Sequence, residues 1–368
     1  MSSKCLIRRS CLTNWPLLLK HCNLARFGLL EAQTHPIGYD VTSTGCAMRL
    51  HLILTVTFSL GWCVIGCGPK VRPAAGYPVA RGDLYAEFRE NVVFRGEPNL
   101  SGIPVILHRL NPHLPFIRED AGLNFEHIFC GHADQRNGFT PRSGLFRLTP
   151  LEAGDGVVLT REAADEPWNI GSTLRYRLVP PHYIDFEFKA TINDASPFQS
   201  ENYAAFFFAS YMGFVADNEI NFLGVPASGE QEQWVRSRSN GRDPGEHYIP
   251  LQSNGLVIDP NDPILALNAK HEAWPRITRP YYYGLAGGGM VYAVMFNKLC
   301  DSDEEMRFSV MRFRLAKRPS PAWDFGYVAR NLVNGKKIGF RGRLIWKPFI
   351  SAEDITRDYE RWRSGPSH

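Results

Sequence analysis

Between Thr173 and Ile192 the chain alternates apolar and polar residues twice, in opposite directions, about one turn signal. Leu174, Tyr176 and Leu178 alternate with Thr173, Arg175 and Arg177; Pro180-Pro181-His182 interrupts; then Ile184, Phe186, Phe188, Ala190 and Ile192 alternate with Tyr183, Asp185, Glu187, Lys189 and Thr191. A period of two puts each set on one face of a strand, and no helix accommodates it. Folded as a hairpin about Pro181, the segment sets Tyr176 opposite Phe186, Leu178 opposite Ile184, Arg177 opposite Asp185 and Arg175 opposite Glu187. Both faces match at a single register, the condition for a specified antiparallel pair.

The same pattern predicts strands at Val157–Arg161, Asn202–Met212, Glu219–Val225, Met290–Leu299, Met306–Leu315, Trp323–Ala329 and Lys337–Lys347. Within Met306–Leu315 the apolar phase jumps between Val310 and Met311, which predicts a bulge. Phe206-Phe207-Phe208 reads as a strand covered on both faces, and Gly287-Gly288-Gly289 as a turn before a strand. A helix is expected only at Ala352–Arg363, where Ser351 and Asp354 form a capping box and Gly365-Pro366 ends the run. The expected class is all-β: a large antiparallel β-sandwich, a supersandwich, with one short C-terminal helix.

The ends of the chain carry a different message. Residues 1–66 hold six basic and two acidic side chains, whereas the remainder holds 35 of each sign. A neutral domain has no electrostatic footprint for phosphate backbones, so no nucleic-acid partner is expected. From Leu50 to Pro69 there is no charged residue. Met48-Arg49, the apolar run Leu52–Leu60 and the small residues before Cys67 are the parts of a secretory signal. Val64-Ile65-Gly66-Cys67 resembles the lipobox of bacterial lipoproteins, which implies removal of 48–66, lipidation of Cys67 and attachment to a membrane at the cell envelope. An uncleaved transmembrane segment is the alternative, although the stretch is short and softened by Thr, Ser and Gly. Residues 1–47 then stand upstream of a complete signal and read as an extension ahead of the true start at Met48. Residues 67–82, rich in Pro, Gly and Ala, read as a tether, and 83–368 as one domain. Six of the eight cysteines lie at or before Cys67, leaving Cys130 and Cys300 either to pair or to act as small buried hydrophobes.

Four phrases carry a family likeness. His127-Ile128-Phe129-Cys130-Gly131-His132, Pro180-Pro181-His182-Tyr183-Ile184-Asp185-Phe186, Pro280-Tyr281-Tyr282-Tyr283-Gly284 and Pro321-Ala322-Trp323-Asp324-Phe325 resemble an uncharacterised family of secreted proteins common in planctomycete-like bacteria, over most of Asp83–Trp362. In architecture the chain is similar to the galactose-mutarotase-like supersandwich, whose members include sugar epimerases, polysaccharide lyases and noncatalytic sugar binders. That likeness implies a saccharide ligand but transfers no catalytic residue, because fold alone does not fix function.

The most polar segment is His127–Gly144, which mixes His127, His132, Asp134, Arg136 and Arg142 with turn-forming residues. Long polar loops in compact domains are often functional. His127 and His132, five apart, fall on opposite faces of a strand and cannot share one metal from a regular element. His132, Asp134 and Arg136 share a face if extended, a set suited to a sugar acid. The competing reading is a loop braced by an Asp134–Arg136 pair. Here His127, His132 and Arg142 are the candidate catalytic groups, with Asp134 and Arg136 as substrate contacts. Tyr282, Trp274 and Trp323 are candidate stacking rings for sugar faces, each equally at home in a strand or core. Glu219 is a candidate base on a polar strand face. His108 and His113 sit in a Pro-rich stretch where a lone histidine is usually a satisfied packing residue. Asp185 and Glu187 resemble paired glycosidase carboxylates, but the hairpin gives each an arginine and favours a structural ladder. No G-x-S-x-G, Walker, G-x-G-x-x-G, H-E-x-x-H or paired C-x-x-C motif is present. No nucleotide, metal or other cofactor is therefore expected. The two functional classes left are a carbohydrate-handling protein and a noncatalytic structural or interaction protein of the envelope.

Overall fold

The hairpin read from the alternation lies near the middle of a nine-stranded antiparallel sheet. The computed structural model describes residues 76–91, 93–94, 97–98, 100–117, 122–130, 139–143, 145–199, 202–229, 231–237, 245–253, 275–315 and 318–365. In chain order the strands are β1 Tyr77–Arg81, β2 Leu84–Arg89, β3 Val93–Phe94, β4 Glu97–Pro98, β5 Gly102–His108, β6 Asn124–Phe129, β7 Arg147–Pro150, β8 Gly156–Arg161, β9 Ile170–Val179, β10 Tyr183–Ile192, β11 Tyr203–Ala209, β12 Val215–Val225, β13 Gln233–Arg236, β14 Gly245–Tyr248, β15 Arg276–Ala286, β16 Met290–Phe296, β17 Glu304–Leu315, β18 Arg318–Arg330 and β19 Lys336–Pro348. Helix α1, Ala352–Ser364, closes the described chain, and a single helical turn lies at Thr140–Ser143.

The large sheet runs β13-β12-β15-β16-β19-β10-β9-β8-β7, and a five-stranded sheet runs β14-β17-β18-β11-β6. Their inner faces meet in one core. Phe188 of β10 lies 5.4 Å from Phe206 of β11, and Phe340 of β19 lies 5.5 Å from Phe208. Each fully buried aromatic of this kind stabilises by roughly 1.5–3 kcal/mol. A three-stranded sheet, β1-β2-β5, joins the same core through Phe88, stacked on Tyr176 at 5.5 Å. The protein is thus a large antiparallel β-sandwich with a short C-terminal helix.

The β9–β10 register is the expected one, Phe186 opposite Tyr176 and Asp185 opposite Arg177. Ser351 caps α1, its hydroxyl accepting from the Asp354 amide, and Gly365 ends it. Phe206, Phe207 and Phe208 are all buried. The bulge expected within Met306–Leu315 does not occur: β17 pairs with β18 without a shift from Glu304 opposite Ala329 to Leu315 opposite Arg318. Val310 and Met311 are both buried because this strand is covered on both faces, so an apolar run needs no change of phase.

Strand β1 falls in the stretch expected to be a tether. Cys130 and Cys300 are not joined to each other; Cys130 is buried and Cys300 partly exposed. The leader, Cys67 and residues 1–75 lie outside the described residues.

Candidate functional site

On the large sheet the polar residues of the alternation face away from the core, and α1 covers only part of that outer surface. Its apolar side rests on Tyr281, Tyr283, Met295 and Ile345, with Ile355, Tyr359 and Trp362 contributed by the helix and its end. Where the helix stops, a cavity of about 440 Å³ opens, a volume proper to small-molecule sites. Its floor is Arg175 and Arg177 of β9, Asp185 and Glu187 of β10, and Arg341 and Arg343 of β19; Asn297 and the helix-end residues Arg361, Trp362 and Arg363 form the wall. Six arginines face two carboxylates.

Most of these polar groups have a partner. Arg343 donates to both oxygens of Asp185, at 2.6 and 2.9 Å, and its guanidinium lies 4.5 Å from the Tyr183 ring and 5.8 Å from that of Trp362. Arg177 turns away to Asp155, at 2.8 Å, which Arg81 shares at 2.7 Å. Glu187 pairs with Lys189 at 2.8 Å rather than with Arg175. Arg363 donates to the Asn297 carbonyl at 2.6 Å. Arg175 is exposed and makes no ion pair among the described residues. Both carboxylates are therefore paired with cations. A half-buried indole, Trp362, offers a flat apolar face beside the guanidinium groups.

The residues singled out from sequence lie elsewhere. His127 and Arg142 do meet, at Glu126 on β6. His127 Nε2 is 3.6 Å from Glu126, while Arg142 pairs with Glu126 and donates to the Tyr211 hydroxyl at 2.7 Å; that hydroxyl in turn donates to Glu126. The His127 ring is enclosed by Phe139 at 4.3 Å, Phe129 at 5.4 Å and Phe207 at 5.5 Å, and burial pushes its pKa down to about 3, so the imidazole is neutral. Glu219 is paired with Arg312 and accepts from Ser237 Oγ at 2.7 Å.

Tyr282 and Trp323, expected as stacking rings, are both fully buried between the sheets. The Tyr282 hydroxyl donates to the Trp323 carbonyl at 3.2 Å and the Trp323 indole N–H donates to the Asn218 carbonyl at 3.3 Å. Their inward strand positions and large apolar area are better satisfied by the core than by a ligand. His132, Asp134, Arg136 and Trp274 lie outside the described residues. Sequence reading passed over Arg341, Arg343, Arg361, Trp362 and Arg363, whose only local signals were the polar face of Lys337–Lys347 and the basic end of the helix.

No family model matches this chain, and no curated protein does. Solved structures with some likeness include a protein assigned as an aldose 1-epimerase from Escherichia coli K12, at 9% identity and TM-score 0.37, over 74% of this chain and 99% of that one. Heparan sulfate lyase from Pedobacter heparinus gives 9% identity and TM-score 0.39, over 73% and 33%. The 4-α-glucanotransferase of Thermococcus litoralis gives 9% and 0.32, over 74% and 37%. The chain thus spans about a third of the lyase and of the glucanotransferase.

Proposed function

We propose that this protein handles carbohydrate, and that it holds an acidic saccharide in the arginine-lined cavity. The observation that carries the reading is the set of six arginines around a 440 Å³ cavity whose two carboxylates are already paired. A planar guanidinium forks a carboxylate or sulfate through two parallel hydrogen bonds. Trp362 supplies the flat surface on which a pyranose face packs. The galactose-mutarotase-like layout belongs to the same reading, as does export: Cys67 is lipidated, and the domain stands at the cell envelope, where acidic glycans are found.

The polar groups described in the cavity favour binding over catalysis. Calorimetry on the purified chain tests this: a uronate-bearing oligosaccharide should bind saturably, and its neutral counterpart at least about tenfold more weakly, the scale of one charge-assisted hydrogen bond. If neither binds, the structural reading of an envelope protein takes its place. Mass spectrometry of the mature N-terminus tests the anchor, with an acylated Cys67 expected.

A further inference from the structure

Three residues from three separate turns meet at one end of the sandwich. Asp83 lies in the β1–β2 turn, His108 ends β5, and His182 lies in the β9–β10 turn. One ligating atom of each lies within 4.8 Å of the other two. Asp83 Oδ2 is the shared vertex, 3.7 Å from His108 Nε2 and 3.6 Å from His182 Nδ1. The second oxygen, Oδ1, is held by Arg109 Nε at 2.5 Å, which fixes the carboxylate and leaves Oδ2 turned to the imidazoles.

The His108 side chain is 1% exposed, and its Nε2 has no hydrogen-bond partner. His182 Nε2 is buried without a partner too. The His182 nitrogen that faces Asp83 is Nδ1, so the unsatisfied nitrogen beside the carboxylate oxygen is His108 Nε2; a buried nitrogen left without a partner is costly and rare, and this one calls for a physical reason.

We infer that Asp83, His108 and His182 together bind one divalent transition-metal ion of the zinc class. The donor set decides the class. Two imidazoles and one carboxylate suit zinc and its neighbours, whereas magnesium and calcium take oxygen donors throughout. Donors about 2.1 Å from a tetrahedral ion lie roughly 3.4 Å apart. The two distances to Asp83, 3.6 and 3.7 Å, need a few tenths of an ångström of closure, and the imidazole nitrogens, within 4.8 Å of each other, need at most about 1.4 Å.

One contact opposes coordination. His108 Nδ1 accepts the Leu110 amide at 3.1 Å, which puts the ring proton on Nε2 in the metal-free form. Binding through Nε2 moves that proton to Nδ1, and the Leu110 amide must turn away. One neutral hydrogen bond is a small loss beside three-donor coordination. Lys347, a further cation near His182, is matched by its ion pairs with Asp354 and Asp358.

The ion's role follows from what the three turns join. The β1-β2-β5 sheet touches the large sheet here through the Asp83 amide, which donates to the Pro181 carbonyl at 2.6 Å. Gly82, at φ +61°, comes so close that a Cβ would sit 2.4 Å from that same oxygen. A metal at Asp83 clasps the small sheet to the β9–β10 hairpin and leaves a fourth position for water. The clasp is independent of the arginine-lined cavity and of any saccharide.

The test is titration of untagged, chelator-stripped full-length chain with Zn²⁺ and Co²⁺. One equivalent should bind, the Tm should rise by several degrees, as for any ligand of the native state alone, and Co²⁺ should give visible d–d bands without a thiolate charge-transfer band. His182→Ala, in a partly exposed turn, should lose at least roughly 100-fold in affinity together with the Tm shift. Asp83→Asn, nearly isosteric, should show the same loss and decides the matter if His182→Ala does not fold. Failure of the wild-type chain to bind either ion, or binding retained in the folded variants with a thiolate band, would overturn the assignment.

Discussion

Arg343 grips both oxygens of Asp185, although Arg177 faces the same carboxylate from the other side at the same level of the sheet. The choice shapes the cavity. By taking Asp185, Arg343 becomes a fixed shelf between Tyr183 and Trp362, while Arg177 is drawn to Asp155. The floor stays positive because its four arginines outnumber its two carboxylates.

Arg175 is where binding and stability separate most cleanly. It is exposed and without an ion pair among the described residues, so Arg175→Ala should change unfolding free energy by no more than about 0.5 kcal/mol. Its affinity for an acidic oligosaccharide should fall roughly tenfold, the worth of one charge-assisted hydrogen bond. Paired calorimetry and urea unfolding measure both. A loss of stability with unchanged affinity would place Arg175 in the scaffold instead.

Ionic strength gives an independent handle. Between 0.1 and 1 M salt the Debye length shrinks from about 10 to about 3 Å. Binding of an acidic saccharide to six arginines should weaken markedly over that range, while a neutral one responds little. Equal salt dependence for the two ligands would speak against charge recognition.

The core tolerates no added bulk where Gly284 meets Trp323. A Cβ at Gly284 would lie 2.4 Å from the indole, which is itself fully buried. Gly284→Ala should destabilise by roughly 1–3 kcal/mol, read as a lower denaturant midpoint with unchanged slope.

Asp324 predicts a pH effect of definite sign. Burial drives its pKa well above the ordinary carboxylate range, against the pull of the Ser210 amide and of Arg142. The unfolded chain ionises at about pH 3.9 while the native state keeps the proton. Stability is therefore lost as pH rises above that value, towards the native pKa. Asp324→Asn keeps the oxygen that accepts from Ser210 at 2.9 Å and removes the penalty. It should be more stable than wild type at pH 7, with the gap closing towards pH 4; a gap that widens on acidification would refute the assignment.

The fold was legible in places where one strand face is polar. Tyr183–Ile192 states its partner and its register in its own letters, because a slip of one residue would bury Asp185 and Glu187. Strands β5 and β6, buried on both faces, carry no alternation and escaped notice, and β13 and β14 are too short to show any. The cavity was half visible: Arg175, Arg177, Asp185 and Glu187 read correctly as facing residues on one hairpin. The partner of Asp185 comes from β19, a separation that no local pattern encodes, that of Arg177 comes from the turn before β8, and that of Glu187 is Lys189 on its own strand. The trio at Asp83 was hidden for the same reason, since 99 residues separate its ends, His108 alone reads as packing and His182 as part of a turn.

A structure of the chain soaked with a short uronate-bearing oligosaccharide puts the central claim to the hardest trial. The account requires the sugar in the cavity, its carboxylate within hydrogen-bond reach of Arg175 or Arg343 and a ring face against Trp362. A well-ordered sugar bound anywhere else, or a cavity left vacant at saturating ligand, would contradict it.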